Sequence, residues 1–463
     1  MTLIKSISGI RGTLGGTSGN SLTPYDLVKY SAAFALWIQK QNQYLNSKIK
    51  IVLGRDARLS GPMVRDLVNG TLVSMGIEVI DIGLSTTPTV ELAVTKEKAQ
   101  GGIVLTASHN PKQWNALKLL NHRGEFVSEK EGLEILEIAE KIISFCTIED
   151  LGFTRFRNDY MQIHIDEILK LPLVNVKIIK EANFRIVVDA VNSTGGIFVP
   201  ALLKALGITE IHEINCKPDG NFTHNPEPLP ENLLELSASV INFKADLGIA
   251  VDPDVDRLVF FNEDGSPFGE EYTLVAVADY VLNHKKGNSV SNLSSTRALQ
   301  DITESHGGKY QASAVGEVNV VEKMKETGAV IGGEGNGGVI YPDLHYGRDA
   351  LVGIALFLTH LAGSKLTASK LRNTYPSYFL SKNKIDLVPG LNFENILLKI
   401  KEKYKNQLML DQDGLRIDFE KRWVHLRKSN TEPILRVYAE SSTPASAQAL
   451  ADQLLEDIRI FMN

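Results

Sequence analysis

The first third of the chain alternates short apolar runs with longer segments of helical periodicity. Thr23-Pro24 is typical of an N-cap followed by proline in the first helical turn, and predicts a helix that ends near Lys40. Ser60 is predicted to cap a second helix that ends near Ser74. Apolar runs at 50–53, 77–83 and 101–105 predict strands. Because helices separate these strands, the pattern indicates βαβ units and a parallel sheet.

The alternation recurs along the rest of the chain until its last quarter. Strand-like runs at 184–190 and 246–252 and the segment GAVIGGEG follow helical segments, which makes three similar α/β rounds. RIDF, WVHLRKS and ILRVYAES then predict neighbouring strands before a final helix. The sequence predicts an α/β protein of four domains, three similar α/β domains and a C-terminal α+β domain. Their boundaries lie near Phe153, Asp264 and Tyr375, giving 1–153, 154–264, 265–375 and 376–463.

Composition and charge narrow the function classes. Of 463 residues, 43% are hydrophobic and 22% charged, which is typical of a globular protein and excludes disorder or a small disulfide scaffold. The net charge of −6 argues against nucleic-acid binding, which needs an excess of Lys and Arg. Two cysteines favour a reducing compartment. No signal peptide is recognised, and the longest apolar run, Leu351–Gly363, is too short to span a bilayer. We expect a cytoplasmic enzyme without a membrane partner.

A polar loop, TASHNP, directly follows the apolar run at 101–105. In α/β domains, ligands bind at the carboxyl ends of strands, where Ser108 is a candidate nucleophile. A turn that only ends the strand is an equal alternative. The G-x-S-x-G elbow of hydrolases is absent, which disfavours acyl transfer.

The second polar loop, DPDVDR, places three carboxylates at alternate positions after another strand: Asp252, Asp254 and Asp256. On an extended segment they face one side, and oxygen ligands at this spacing suit Mg²⁺ or Ca²⁺. An EF-hand is excluded because Arg257 occupies its required glycine position. A phosphatase or mutase with Asp252 as nucleophile and Asp254 as acid/base remains an alternative.

Two further loops can bind a phosphorylated, polyhydroxy ligand. GEGNGG lacks the helix and acidic residue of a dinucleotide fingerprint, so Glu334 and Asn336 are candidates for hydrogen bonds to a polyhydroxy ligand, although a plain turn is the favoured interpretation of this loop taken alone. RKSNTEP supplies the cations, hydroxyls and amide that a phosphate dianion needs. Its candidate residues are Arg427, Ser429, Asn430, Thr431 and the following Arg436.

These four loops, in this order, resemble the phosphoserine, metal, sugar and phosphate loops of the α-D-phosphohexomutase superfamily, and the resemblance covers the whole chain. It implies four domains around a central cleft. It also implies a phosphorylated Ser108, with Mg²⁺ held by that phosphate and by the three aspartates. The expected reaction interconverts hexose 6-phosphate and hexose 1-phosphate through a hexose 1,6-bisphosphate, which also acts as activator. The expected partners are small sugar phosphates, and a homodimer is the candidate assembly.

The resemblance extends to further residues. SGIRG, with Arg11, is similar to the family's N-terminal segment, and Lys118 matches the lysine of its active-site loop. Either could be the general acid/base, with His109 beside the serine as a further catalytic candidate. Arg257 is expected to supply charge, and the phosphate loop to hold the phosphate that is not reacting.

The sugar loop departs from the family pattern, Gly-Glu-x-Ser-Gly-His, in having Asn336 and Gly338. Asparagine there is similar to eukaryotic N-acetylglucosamine-phosphate mutases, and the segment VGEVNV is similar to bacterial phosphoglucosamine mutases. TASHNP is at least as close to the gluco/manno enzymes. We expect a phosphoglucosamine mutase, with a phosphomannomutase/phosphoglucomutase as the alternative. An aspartyl-nucleophile phosphatase and a non-catalytic sugar-phosphate-binding protein are the remaining hypotheses.

Overall fold

A computed structural model describes residues 2–6, 9–44, 48–386, 393–428 and 434–462. The N-terminal segment forms a seven-stranded sheet. Its strands are Leu3–Ser6 (β1), Gly9–Thr13 (β2), Lys50–Arg55 (β3), Glu78–Leu84 (β4), Gly101–Leu105 (β5), Trp114–Leu120 (β6) and Phe153–Phe156 (β7). Its helices are Pro24–Gln41 (α1), Gly61–Ser74 (α2), Thr87–Lys96 (α3) and Glu129–Ala139 (α4), with a 3₁₀ turn at Ile148–Asp150.

The strand order is β1-β2-β6-β5-β3-β4-β7, with β3, β4, β5 and β7 parallel and β1, β2 and β6 antiparallel. Leu53 and Leu105 pack beneath helices α1, α2 and α4, whereas Val52 and Val104 pack on the opposite face with α3. Because both faces are covered, the central strands are apolar throughout. Their carboxyl ends carry the polar loops.

The two predicted helix starts differ in detail. Thr23 forms a capping box with Asp26 at the start of α1, as its sequence indicates. The prediction that Ser60 caps α2 is wrong: its backbone is helical and its side chain makes no cap hydrogen bond. The Ser60 hydroxyl instead accepts a hydrogen bond from Asn115 Nδ2 at 2.9 Å.

The next segment builds a four-stranded sheet of order β11-β10-β8-β9, in which only β11 is antiparallel. Its elements are Tyr160–Leu169 (α5), Val176–Ala182 (α6), Arg185–Asp189 (β8), Gly195–Ala205 (α7), Glu210–Ile214 (β9), a 3₁₀ turn at Pro230–Asn232, Leu234–Asn242 (α8), Leu247–Val251 (β10) and Leu258–Asn262 (β11). The acidic loop, DPDVDR at residues 252–257, joins β10 to β11.

The third segment again alternates helices and strands. Its elements are Glu270–His284 (α9), Ser289–Asn292 (β12), Ala298–Ser305 (α10), Tyr310–Ser313 (β13), Glu317–Thr327 (α11), Ile331–Glu334 (β14), Gly338–Ile340 (β15), Ala350–Ser364 (α12) and Ala368–Arg372 (α13). Strand β12 pairs in parallel with β13 and with β14.

The last segment is an antiparallel sheet of order β16-β20-β19-β18-β17 packed with two helices. Its elements are Phe379–Asp386 (β16), Phe393–Lys403 (α14), Leu408–Leu410 (β17), Leu415–Phe419 (β18), Arg422–Lys428 (β19), Ile434–Ser441 (β20) and Pro444–Met462 (α15). Across the described residues, no helix is both long and apolar enough to cross a membrane.

The chain divides into two compact units. The first comprises Met1–Thr273 with Asn336–Arg372, and the second comprises Leu274–Gly335 with Asn373–Asn463. The serine loop, TASHNP at residues 106–111, and the acidic loop both belong to the first unit.

Candidate active site

The serine loop follows β5 and holds Ser108 in a buried, left-handed backbone conformation with φ of +49°. Few residues other than glycine adopt this conformation, and it is often found at functional sites. The Ser108 amide donates to Thr106 Oγ1 at 3.0 Å. The Ser108 hydroxyl donates to Asp252 Oδ2 at 2.6 Å, which joins the serine loop to the acidic loop.

A buried ion pair frames the serine loop from the neighbouring parallel strand. Arg58 and Asp56 follow β3, lie 3.0 Å apart and are fully buried. Thr106 Oγ1 donates to Asp56 Oδ2 at 2.7 Å. The Arg58 guanidinium donates to four backbone carbonyls of the loop, those of Ser108, Asn110, Pro111 and Trp114. The ion pair therefore holds the Thr106 side chain before the candidate nucleophile and the backbone at and after it.

The acidic loop brings three fully buried aspartates together through a turn rather than an extended segment. Val255 has φ of +62°, a strained conformation for a β-branched residue, and reverses the chain between Asp254 and Asp256. The prediction of an extended segment is therefore wrong, but the carboxylates still converge: one oxygen of each lies within 4.8 Å of the others. Asp252 Oδ1 also accepts the backbone N–H groups of Asp256 and Arg257.

Two cations pair directly with this cluster. Lys118 Nζ donates to Asp254 Oδ2 at 2.6 Å and to Asp256 Oδ2 at 3.3 Å. Arg348 Nη2 donates to Asp256 Oδ2 at 2.7 Å. Three buried carboxylates thus face two directly paired cations.

The pKa directions follow from this charge balance. Burial, and then the charges of Asp256 and Asp254, raise the pKa of Asp252 well above its usual range. Burial also opposes ionisation of Asp256, but Arg348 and Lys118 outweigh it and lower that pKa. Burial opposes the charged form of Lys118, yet Asp254 and Asp256 raise its pKa. The cluster therefore favours additional positive charge at Asp252.

A divalent cation fits the cluster. Oδ1 of Asp254 and Oδ1 of Asp256 are buried and have no hydrogen-bond partner among the described residues. Unpaired buried carboxylate oxygens are costly, and oxygen donors are the ligands that hard cations prefer. The three aspartates can therefore hold a metal ion.

A separate group of cationic side chains surrounds His109. Burial, then Arg257 and Arg11, lower the pKa of His109 well below its usual range, so its imidazole is neutral at neutral pH. Burial, and then the positive charge of Arg257, lower the pKa of Arg11. Nε of Arg11 and Nε of Arg257 are buried without a hydrogen-bond partner in the described part of the chain. Two such donors suit an anion such as phosphate.

The predicted sugar-loop residues fall in different units. Asn336 belongs to the first unit, where its Oδ1 accepts from Arg348 Nη1 at 3.4 Å. Glu334 belongs to the second unit and is buried at the end of β14. Its Oε1 accepts from Asn292 Nδ2 at 2.8 Å and from the Gly316 amide at 3.1 Å.

The phosphate loop is described only at its two ends, since Ser429, Asn430 and Thr431 lie outside the described residues. Arg427 on β19 and Arg436 on β20 are direct cross-strand partners, and Lys384 on β16 stands opposite Arg436 on the other side. Directly opposed like charges on a sheet are unfavourable unless an anion offsets them. This arrangement is consistent with phosphate binding.

Sequence reasoning assigned no role to Asp56, Arg58 or Arg348. The polar run GRDARLS was a signal for the first two, because β3 and β5 are parallel neighbours and their carboxyl ends meet at one edge. Arg348 lies 92 residues from Asp256, and no local pattern connects them.

Comparison with known proteins agrees with this arrangement. Models of the phosphoglucomutase/phosphomannomutase α/β/α domains I, II and III match residues 3–144, 162–265 and 269–378, and the model of the C-terminal domain matches 390–457. A phosphoglucomutase/phosphomannomutase of Thermococcus kodakarensis is 34% identical over 456 residues, which cover 96% of this chain and 98% of the relative. The chain belongs to the phosphoglucomutase/phosphomannomutase family. A phosphoglucosamine/phosphogalactosamine mutase of Sulfurisphaera tokodaii is also 34% identical, with 96% and 98% coverage.

The fold of this family member also matches solved structures. A phosphoglucomutase/phosphomannomutase family protein of Burkholderia thailandensis superposes with a TM-score of 0.85 at 26% identity, covering 99% of this chain and 97% of the other. The predicted fold class, three α/β domains and a C-terminal domain, is therefore confirmed. So is the expectation of an enzyme of the phosphohexomutase type. The roles of individual site residues remain predictions.

Proposed function

We propose that this family member interconverts hexose 6-phosphate and hexose 1-phosphate through a phosphorylated Ser108 and a hexose 1,6-bisphosphate, with glucosamine phosphates as preferred substrates. The observation that carries the proposal is the buried hydrogen bond of 2.6 Å between the Ser108 hydroxyl and Asp252 in the acidic cluster. A phosphate on Ser108 would lie beside the two carboxylates with unpaired oxygens. That is where a divalent cation would be needed to offset its charge.

The reaction requires a bond exchange at phosphorus. The bond from phosphorus to Ser108 Oγ breaks as a bond to the sugar hydroxyl forms. The hydroxyl releases its proton to water, and Oγ gains one from Lys118, which takes it back when Oγ attacks the other phosphate. The same steps in reverse return the other phosphate of the bisphosphate to Ser108. Positioning and charge stabilisation carry most of the catalysis in phosphoryl transfer.

The protein's own groups supply that positioning. Arg58 and Asp56 hold the backbone of the serine loop through four carbonyl contacts. Arg11 and Arg257, with their buried unpaired Nε donors, are proposed to bind the oxygens of the transferring phosphoryl group. Lys118 has a raised pKa, is protonated at neutral pH, and is proposed to donate the proton that Oγ gains.

Mg²⁺ is the proposed cofactor, held by Asp252, Asp254 and Asp256 together with the Ser108 phosphate. When bound, it would neutralise phosphoryl charge and make the phosphoserine a better donor. Mg²⁺ is preferred over Ca²⁺ because it is commonly bound by a few carboxylates together with phosphate.

An aspartyl-nucleophile mechanism is less well supported. Asp252 Oδ2 accepts the Ser108 hydroxyl, and Oδ1 accepts the backbone N–H groups of Asp256 and Arg257. A carboxylate with both oxygens hydrogen-bonded is a weaker nucleophile, since those bonds stabilise its charge in the ground state. This environment suits a metal ligand better than a nucleophile.

The glucosamine preference rests on the sugar-loop side of the protein. The segment VGEVNV, similar to phosphoglucosamine mutases, includes Gly316, whose amide donates to Glu334 Oε1. The carboxylate of Glu334 can offer an acceptor to an amino substituent on the sugar. Relatives such as the protein of Methanopyrus kandleri named "Probable phosphoglucosamine mutase", which is 31% identical, support the same choice.

Intact-mass spectrometry of the purified protein tests the phosphoserine. We expect a fraction of the wild-type chain to carry one phosphoryl group, which is lost in Ser108→Ala. Ser31→Ala is the matched control, because Ser31 is also buried but bonds only backbone carbonyls of α1. Phosphorylation that persists in Ser108→Ala would refute the proposal.

A substrate panel tests the specificity. The kcat/KM values for glucosamine, N-acetylglucosamine, glucose and mannose 1-phosphates would be compared at saturating Mg²⁺ and glucose 1,6-bisphosphate. We expect glucosamine 1-phosphate to give the highest value. A higher value for glucose or mannose would assign the enzyme to the gluco/manno class instead and leave the phosphoserine mechanism intact.

A further inference from the structure

Arg348 lies at the centre of the first unit's polar cluster although no sequence motif indicates it. Its guanidinium is largely buried and reaches two loops: Nη2 lies 2.7 Å from Asp256 Oδ2, and Nη1 lies 3.4 Å from Asn336 Oδ1. One side chain therefore connects the acidic loop with the segment expected to contact the sugar.

The path of this side chain depends on Gly338. A Cβ atom at position 338 would lie 2.3 Å from Cδ of Arg348 and 3.0 Å from its Cγ. Such distances are far shorter than van der Waals contact. A side chain at 338 and Arg348 in its present path therefore exclude one another, which gives the departure from the expected histidine a structural reason.

The backbone around Arg348 is fixed on both sides. The amide of Asp349 donates to the Val339 carbonyl at 2.8 Å, and the amide of Ala350 donates to the Val255 carbonyl at 3.1 Å. Asp349 Oδ1 caps α12, while its Oδ2 lies 2.9 Å from His164 Nε2 and 3.3 Å from His345 Nε2. The guanidinium is thus presented from a rigid support that is hydrogen-bonded to both the acidic loop and β15.

The positive charge of Arg348 offsets part of the negative charge of the acidic cluster. Among the described residues, Lys118 and Arg348 are the only cations within ion-pair distance of the three buried carboxylates. Buried like charges repel strongly unless they are paired. Removing either cation would leave the cluster with one more uncompensated negative charge.

We infer that Arg348 is a positioning residue: it occupies the space vacated at position 338, holds Asp256 and Asn336 as one unit, and supplies part of the positive charge that the acidic cluster needs when no divalent ion is bound. The catalytic part of this inference rests on the proposed mutase function. The charge and steric parts do not, since they concern contacts within the protein alone.

A double-mutant cycle tests the steric part. Gly338→Ala should displace Arg348 and lower the melting temperature in metal-free buffer; in the active mutase it should also lower kcat/KM roughly tenfold or more, the effect of losing a charged hydrogen bond. Arg348→Ala removes Cγ and Cδ, so Gly338→Ala should cause little further loss in that background. Gly70→Ala is the control, because a Cβ there meets no atom within 4 Å. Independent, multiplicative losses at 338 and 348 would overturn the steric coupling.

Thermal unfolding without any sugar tests the charge part. Arg348→Met should lower the melting temperature in metal-free buffer, and Mg²⁺ should raise it by a larger increment than in wild type, because the ion then offsets a greater excess of negative charge. Arg348→Lys should restore most of the wild-type behaviour. Arg185→Met, which loses only a solvent-accessible pair with Asp246, is the control and should match wild type. An Mg²⁺ increment in Arg348→Met equal to or smaller than that of wild type would refute the charge role.

The two proposals fail in different ways. If Ser108 carries no phosphoryl group but the cycle in melting temperature and the Mg²⁺ increments behave as expected, the mutase mechanism is wrong and the role of Arg348 in the acidic cluster stands. If Ser108 is phosphorylated but those two experiments show no coupling, only the inference about Arg348 is wrong.

Discussion

The Ser108 hydroxyl donates a hydrogen bond of 2.6 Å to Oδ2 of Asp252, although the two residues are 144 positions apart. Each follows a strand of a different sheet, β5 for the serine and β10 for the aspartate. Two regions matched by different domain models of the family thus meet at one bond. The arrangement brings a candidate phosphoryl carrier to a carboxylate that is already held by two backbone amides.

This bond predicts different outcomes for the two partners. Ser108→Ala should abolish turnover, because no phosphoryl carrier remains. Asp252→Asn keeps the shape but removes charge, and should lower kcat by about ten- to a hundred-fold while some phosphorylated Ser108 persists. Steady-state kinetics with intact-mass analysis would measure both. An inactive Asp252→Asn beside an active Ser108→Ala would favour the aspartyl-nucleophile mechanism.

The enzyme is predicted to need a divalent metal ion for turnover. Exhaustive chelation is expected to abolish turnover, with recovery by Mg²⁺ and weaker recovery by Ca²⁺. Asp254→Asn removes one of the two unpaired ligand oxygens as a charged donor and should raise the Mg²⁺ concentration needed for half activity. Asp264→Asn, in the surface turn after β11, is the control because its carboxylate bonds only Ser266 within the described part of the chain. Full activity of the chelated protein would rule out the metal.

Lys118 offers a test of proton transfer. The carboxylates of Asp254 and Asp256 outweigh burial and raise its pKa, so it is protonated at neutral pH and is not a base there. A divalent ion on these carboxylates would offset the charge that holds the proton and make Lys118 a better donor. Lys118→Arg keeps the charge but holds its proton too firmly to donate it. We expect Lys118→Arg to lower kcat at least about tenfold while KM changes little. Lys118→Met should lose both the positive charge and the proton transfer. An arginine variant with wild-type kcat would limit Lys118 to a charge role.

The local parts of this site were predictable and the long-range parts were not. Ser108 and the three aspartates stand in contiguous polar runs after apolar strands, so their residue types and positions were enough to identify them. Arg58 and Arg348 act through contacts 50 to 56 and 92 residues away, which no periodicity encodes. The turn at Val255 was also unpredictable, because a β-branched residue disfavours positive φ and tertiary contacts impose it.

The fold shows the same division. The N-cap of α1 at Thr23 was predicted from two adjacent residues, although the capping box with Asp26 was not. Ser60 has the right residue type, but its hydroxyl accepts from Asn115 and does not cap its helix. A cap signal is local, and a tertiary hydrogen bond can override it.

His345 predicts a pH dependence of stability. Burial opposes its charged form, but contacts with Asp349 and Glu91 raise its pKa to about 10. The unfolded value is about 6.5, so the stabilisation from this group is fully present below that pH and is lost as the pH rises through about 10. His345→Gln should therefore lower the melting temperature most at pH 6 to 7, roughly, and least near pH 10. Exposed His122→Gln is the control. A difference from wild type that stays constant with pH would contradict the assignment.

Arg427 predicts a separate effect on the intermediate. Its buried guanidinium stands opposite Arg436 across the strand pair, and its Nε lies 3.5 Å from Asp413 Oδ2. Asp413 offsets part of this charge, and an anion bound at the two arginines would offset more of it. If that anion is the phosphate that is not reacting, Arg427→Ala should raise KM about ten- to a hundred-fold and make turnover depend on added hexose 1,6-bisphosphate, because the intermediate escapes more often. Kinetics with and without bisphosphate would measure both effects.

Arg422→Ala, at the exposed start of the same strand, is the control. An unchanged KM without increased dependence on bisphosphate would show that Arg427 does not bind the substrate phosphate.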